Sequence, residues 1–114
     1  GDVAIRKDGI AKIGLCNGKK KLVRGNHDIF ALKEYTPYFE DILGVRVWPE
    51  SRLIASHIPL AKECLEHKQW VNVHGHLHSY LMDDTIRYIS ACLDVNDLYP
   101  INLDTILQRI KNNG

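Results

Sequence analysis

The segment "WVNVHGHLH", residues 70–78, joins an apolar run to a group of histidines. It holds three of the six histidines of this 114-residue chain within five positions. A short apolar run that stops at turn-forming residues is typical of a buried strand. The segment therefore predicts a strand over 70–73 that delivers histidines to the turn at its carboxyl end.

Two other apolar runs stop in the same way. "KLVR" (21–24) leads into "GNHD" (25–28), and "LIA" (53–55) leads into "SHIP" (56–59). In α/β sheets, ligands collect beyond the carboxyl ends of the strands. We therefore expect three turns at one edge of one sheet to bring together His27, His57, His76 and His78.

The rest of the chain alternates between strand-like and helix-like segments. We predict a strand end at 1–5, strands at 44–48 and 86–95, helical segments at 6–16, 29–43 and 60–68, and an amphipathic helix at 102–112. Asn102 is the expected N-cap of that last helix. Strands that alternate with short helices favour an α/β fold. No linker divides the chain, so residues 1–114 are predicted to form one domain.

The "GNHD" turn combines residue types that suit a metal site. Asn26 offers a neutral carbonyl oxygen to a cation, and His27 is free for proton transfer. Asp28 can hold a ring nitrogen of His27 and fix its tautomer. Such a mixed set of ligands suits first-row divalent ions such as Mn, Fe, Zn or Ni.

The histidines of "HGHLH" are spaced for a shared site. In an extended segment, His76 and His78 lie two positions apart and point to the same side. Gly75 removes a side chain where the backbone must bend or come close to another group. His74 precedes that bend, so we interpret it as a structural residue or as one that supports a metal ligand.

Composition excludes several classes of function. The net charge of +1 gives no general attraction to nucleic acid or to an anionic membrane. No apolar run approaches the roughly 20 residues of a membrane span. The three cysteines are widely spaced and form no CxxC pair, so reduced thiols and a cytoplasmic location are expected.

In these motifs the sequence resembles the calcineurin-like metallophosphoesterase family. "GD" (1–2), "GNHD" (25–28), "SHIP" (56–59) and "GHLH" (75–78) match its motifs in order, and the likeness covers essentially the whole chain. Small bacterial and phage members are the most similar, since they end in a run like "ISACLDVNDLYPINLDTI" (89–106). The resemblance implies a sandwich of two mixed β-sheets flanked by helices, with a two-metal site at the strand ends.

The resemblance also implies a set of metal ligands. Asp2 would bridge two divalent transition-metal ions. One ion would be completed by Asn26, His57 and His76, and the other would be bound by His78.

The implied activity is hydrolysis of a phosphomonoester or phosphodiester at this dinuclear centre. His27 would act as the general acid, and Asp28 would support it. The substrate would be a small phosphoester or a nucleotide.

One family motif has no counterpart here, namely the Asp-x-His that lies upstream of "GD" on the first strand. The second metal site would then be incomplete in this chain, and the domain would lack its N-terminal strand and helix. Three explanations stand open: a fragment of a longer polypeptide, one chain of a split protein completed by a partner, or a truncated and inactive relative. We favour the fragment, because the chain begins with Gly rather than Met and starts at a motif.

Two other functions compete with the phosphoesterase. A non-catalytic module would bind one ion or a partner through Asp2, Asn26, His57 and His76. In a purely structural role, the histidines would only satisfy buried hydrogen bonds, and no metal would bind.

Overall fold

Six short strands form two separate sheets in the computed structural model, which describes residues 1–114. The strands are β1 (Lys21–Val23), β2 (Asp41–Leu43), β3 (Arg46–Trp48), β4 (Leu53–Ser56), β5 (Val71–His74) and β6 (Tyr88–Ser90). β1 and β2 pair in parallel as a two-stranded sheet. The other four form a mixed sheet in the order β3-β4-β5-β6, antiparallel between β3 and β4 and parallel elsewhere. The expected α/β class is therefore confirmed.

Three α-helices and three 3₁₀ segments connect the strands. The helices are α1 (Leu32–Tyr35), α2 (Lys62–Glu66) and α3 (Leu103–Asn113), and the 3₁₀ segments are Lys7–Leu15, Pro49–Ser51 and Leu93–Val95. Asn102 caps α3 as expected, because its side-chain oxygen accepts a hydrogen bond from the backbone N–H of Asp104 at 2.8 Å. None of these helices has the length and apolar character needed to cross a membrane.

Each sheet has its own apolar core. The larger core joins the four-stranded sheet to α3, and its fully buried members are Leu53, Val71, Val73, Ile89 and Ile106. The smaller core joins β1 to α1 and the first 3₁₀ segment through Leu22, Tyr35 and Ile10. The two cores share no residues, so each sheet is packed independently of the other.

Residues 1–5 do not form the expected strand end. The backbone N–H groups of Asp2 and Val3 donate to the carboxylate of Asp28, at 2.7 and 2.8 Å, instead of to a neighbouring strand. Asp2 also has a φ of 58°, which is incompatible with extended backbone.

Two other segments are shorter or different from their predictions. The helix expected over 29–43 is limited to α1, and residues 41–43 instead form β2, which pairs with β1. The strand expected over 86–95 ends at Ser90, and the chain turns into a 3₁₀ segment. The side chain of Asn96 stabilises that turn by donating to the carbonyl oxygens of Ser90 and Cys92, at 2.9 and 2.8 Å.

Asn72, on β5, is fully buried and fixes the loop that follows β4. Its side-chain nitrogen donates to the carbonyl oxygen of Ile54 and to the hydroxyl of Ser56, both at 3.0 Å. Its side-chain oxygen accepts from the backbone N–H of Leu60 at 2.8 Å. This loop contains His57, so the hydrogen bonds of Asn72 fix the position of one candidate ligand.

We expect Asn72→Ala to lower the free energy of unfolding by about 2–4 kcal/mol, because it leaves buried polar groups without partners. Urea denaturation followed by tryptophan fluorescence measures the change. Asn17→Ala, at an exposed turn position, is the matched control and should change stability by less than about 0.5 kcal/mol. Equal stability of the two variants would contradict the role assigned to Asn72.

Candidate functional site

The carboxyl ends of four strands surround one open cleft. β1 contributes from the first sheet, and β4, β5 and β6 contribute from the second, around a volume of about 510 Å³. The sequence predicted three turns at one edge of one sheet, whereas the turn after β1 belongs to a different sheet. The turns nevertheless meet, because the two sheets present their carboxyl ends to the same space.

Three predicted ligands, Asp2, His57 and His76, have ligand atoms that lie within 4.8 Å of one another. Asn26 joins this group, since its side-chain oxygen lies 3.1 Å from Nδ1 of His76. The rings of His57 and His76 meet edge to face, with 5.2 Å between their centroids. Four of the five residues predicted to bind metal are thus brought together from separate parts of the chain.

Within this group, the surroundings of His57 indicate a metal ligand most clearly. It is 8% exposed, and its Nε2 lies 3.1 Å from Oδ2 of Asp2 without the alignment of a hydrogen bond. A nearby carboxylate favours a protonated imidazole, but burial outweighs it and lowers the pKa of His57 below its usual value. A neutral imidazole nitrogen and a carboxylate oxygen therefore face each other, and a cation between them would satisfy both.

The orientation of Asp2 is fixed by its backbone and by the "GNHD" turn. Its Oδ1 accepts a hydrogen bond from the backbone N–H of His27 at 2.9 Å, which leaves Oδ2 facing His57. A Cβ at position 25 would collide with the Asp2 carboxylate, so only glycine fits there. Asp2 also holds a left-handed conformation, a form of backbone strain that is concentrated at functional sites.

Asp28 ties the first residues of the chain to the same turn. Its carboxylate is 3% exposed and accepts backbone hydrogen bonds from Asp2, Val3 and Gly25 at 2.7–2.8 Å. Arg24 stabilises the turn itself by donating to the carbonyl oxygens of Asp28 and Phe30. Asp28 therefore acts on the position of Asp2 and not, as the sequence suggested, through a hydrogen bond to the ring of His27.

The segment after β5 is bent rather than extended. His76 and His78 have φ values of 68° and 54°, so the simple alternation expected for an extended segment does not apply to them. The ring of His57 packs against this bend, since a Cβ at position 75 would lie in ordinary van der Waals contact with its Nδ1, at 3.4 Å. The bend turns His76 towards His57, while His78 is more exposed and lies outside the three-ligand group.

His27, His78 and His74 occupy three different positions around the cleft. The side chain of His27 is exposed, and only its backbone contacts Asp2. His78 lines the cleft. His74 is 2% exposed, and its Nδ1 donates to the carbonyl oxygen of Gly75 at 2.9 Å, which suits the structural role expected for it.

The sequence argument missed Cys92 and Asp94, which line the cleft beyond the end of β6. The rule that identified the other turns applies here too, since "YIS" is an apolar strand that leads into "ACLD". The signal was hidden because the apolar alternation continues past Ser90, so the strand was predicted to run through both residues.

The group formed by Asp2, Asn26, His57 and His76 fits a divalent metal ion. Two imidazoles with a carboxylate and an amide oxygen form a donor set that first-row divalent ions accept. Donor atoms around one ion lie up to about 4 Å apart, twice a metal–ligand bond of about 2.1 Å, so ligand atoms within 4.8 Å of one another need only small shifts. The unpaired Nε2 of His57 is explained by this fit.

Comparisons with models of protein families, with curated proteins and with solved structures gave no match. Any assignment of function to this chain is therefore carried by the motifs in its sequence and by the geometry of the cleft.

Proposed function

We propose that this chain forms the metal-binding part of a phosphoesterase of the calcineurin-like type. One observation carries the proposal: Asp2, His57 and His76, from three separate segments, place their ligand atoms within 4.8 Å of one another. These residues lie in the "GD", "SHIP" and "GHLH" motifs, the same ones on which the family resemblance rests. On this proposal the two sheets correspond to the two mixed sheets of the family sandwich.

Metal ions would be held by the carboxylate, amide and imidazole groups of the cleft. When bound, divalent ions supply positive charge to phosphate oxygens and lower the pKa of a water molecule. Asp2 suits a bridging position, because its two oxygens face different neighbours: Oδ1 faces the "GNHD" turn and Oδ2 faces His57.

His27 is the proposed general acid. Its backbone N–H donates a hydrogen bond to Oδ1 of Asp2, and its side chain is exposed. An imidazole can donate a proton to the oxygen of a leaving group, which is the role proposed for His27. The substrate would be a small phosphoester or a nucleotide, encountered in the cytoplasm.

The number of ions distinguishes this proposal from its rival. The three-ligand group and Asn26 account for one ion, and this favours a single-metal, non-catalytic module as the second candidate. A second ion would use Asp2 and His78, with its remaining ligands supplied by a further segment or by a partner chain. Native mass spectrometry of the protein with Mn²⁺ or Zn²⁺ counts the ions directly.

We expect His27→Ala to retain metal and to lower turnover of bis(p-nitrophenyl) phosphate about a hundredfold or more, because it removes only the proton donor. Metal content is measured by native mass spectrometry and turnover by release of nitrophenolate. His67→Ala, an exposed histidine at the end of α2, is the matched control.

Two results would contradict the proposal. Unchanged turnover in the His27→Ala variant would contradict the assignment of His27 as the general acid. Metal binding by the unaltered protein without hydrolysis of any phosphoester would favour the non-catalytic module.

A further inference from the structure

A three-residue turn follows β5 and places His76. The backbone N–H of Leu77 donates to the carbonyl oxygen of Gly75 at 2.8 Å, and this hydrogen bond closes the turn. His76, at the centre of the turn, has a φ of 68°. These are the features of a γ-turn with a positive φ at its centre, which is a rare and strained form. A proposed metal ligand therefore lies in backbone that a free chain avoids.

Contacts from outside the turn stabilise this strained backbone. A residue other than glycine keeps such a conformation only where the surrounding structure enforces it. The carbonyl oxygen of Gly75 accepts a second hydrogen bond, from Nδ1 of His74 at 2.9 Å. A carbonyl oxygen only accepts, so Nδ1 carries the proton. The ring of His74 therefore fixes the carbonyl group on which the turn closes.

His74 is itself held by its neighbours. It is the last residue of β5, and it pairs with Ser56 on β4 and with Ser90 on β6. Its side chain is buried, and its ring meets that of Tyr88 edge to face, with 6.1 Å between the centroids. A side chain locked in this way can fix the geometry of a group that it contacts.

The backbone of Gly75 links this turn to the other imidazole ligand. Its N–H donates to the carbonyl oxygen of His57 at 2.9 Å, while its own carbonyl oxygen receives the proton of the His74 ring. The rings of His57 and His76 are in contact. A shift of the Gly75 carbonyl would therefore move one imidazole ligand relative to the other.

We infer that His74 is a positioning residue, which holds His76 in the γ-turn and so places the two imidazole ligands against each other before an ion binds. The inference rests on the metal group of the proposed function and adds to it a residue outside the three-ligand group. Ligands that are already in place lose less freedom on binding, and this raises their affinity.

The test compares two replacements of His74 by isothermal titration with Mn²⁺. His74→Leu fills the space with a side chain that cannot donate. It should weaken Mn²⁺ binding roughly tenfold to a hundredfold, the range for residues that support a ligand. His74→Asn supplies a donor nitrogen in place of Nδ1, so it should stay within about threefold of the unaltered protein. Circular dichroism establishes that both variants are folded.

Val71→Ala is the control that separates positioning from stability. Val71 is buried in the larger core on the same strand, and it does not line the cleft. Its truncation leaves a cavity, so the urea midpoint of unfolding should fall while Mn²⁺ affinity changes less than about twofold.

NMR of the metal-free protein tests the hydrogen bond itself. Long-range proton–nitrogen correlation spectra show which ring nitrogens of a histidine carry a proton. Nδ1 of His74 should be protonated, because it donates to the carbonyl oxygen of Gly75.

The outcomes separate this inference from the function on which it rests. An Nδ1 of His74 without a proton would overturn the inference. So would a folded His74→Leu variant with unchanged Mn²⁺ affinity, or a folded His74→Asn variant that binds as weakly as His74→Leu. Each of these results leaves the proposed function intact if the unaltered protein binds Mn²⁺. Absence of Mn²⁺ binding by the unaltered protein would overturn both.

Discussion

Replacing His76 with alanine is expected to lower the affinity of the protein for Mn²⁺ by at least about a hundredfold. Loss of a residue that only supports a ligand typically costs 10- to 100-fold in metal affinity, so loss of a ligand should cost more. His76 has two contacts in the group, because it meets the ring of His57 and lies 3.1 Å from the side-chain oxygen of Asn26. Isothermal titration with Mn²⁺ measures the change.

The control for this variant is His67→Ala, since His67 is exposed at the end of α2 and belongs to no ligand group. It should bind Mn²⁺ as the unaltered protein does. Circular dichroism establishes that both variants are folded. A folded His76→Ala variant with unchanged affinity would show that the ion binds somewhere else, or that no specific site exists.

Asp28→Ala is expected to lower the free energy of unfolding by about 4.5 kcal/mol or more. Each hydrogen bond to a charged acceptor contributes about 1.5–3 kcal/mol, and the buried carboxylate accepts three of them from the backbone. Its removal also releases residues 1–3, so metal affinity should fall together with stability. Urea denaturation and titration with Mn²⁺ measure the two effects.

Two further variants keep this prediction testable. Asp8→Ala removes an exposed carboxylate whose only ion pair is with Arg6 on the surface, and it should be nearly neutral. Asp28→Asn keeps the size of the side chain but loses its charge and one acceptor oxygen, so it should lie between Asp28→Ala and the unaltered protein. A fully stable Asp28→Ala variant would mean that residues 1–3 are held by other contacts.

The strand ends could be predicted because their signal is local. Each of β1, β4 and β5 is an apolar run that stops at a Gly, Ser or His turn, and the parallel pairing of β4 with β5 then fixes His57 and His76 side by side. The N-cap at Asn102 could also be predicted from the sequence, because capping depends on one side chain and the next two residues.

The features that could not be predicted depend on contacts between distant residues. Asp28 acts on the backbone of Asp2, which is 26 positions away, and no local pattern distinguishes that role from a hydrogen bond to His27. The separation into two sheets has the same origin, since residues 41–43 gain a partner in β1 that outweighs their helical spacing. The left-handed backbone of His76 and His78 after β5 likewise has no signature in the local sequence.

Crystals of the protein grown with Mn²⁺ and measured at the manganese absorption edge test the central claim most directly. The account predicts an anomalous-difference peak within bonding distance of Oδ2 of Asp2, Nε2 of His57 and the ring of His76. A peak at any other place on the molecule, or a fully ordered cleft without a peak at saturating Mn²⁺, would contradict it.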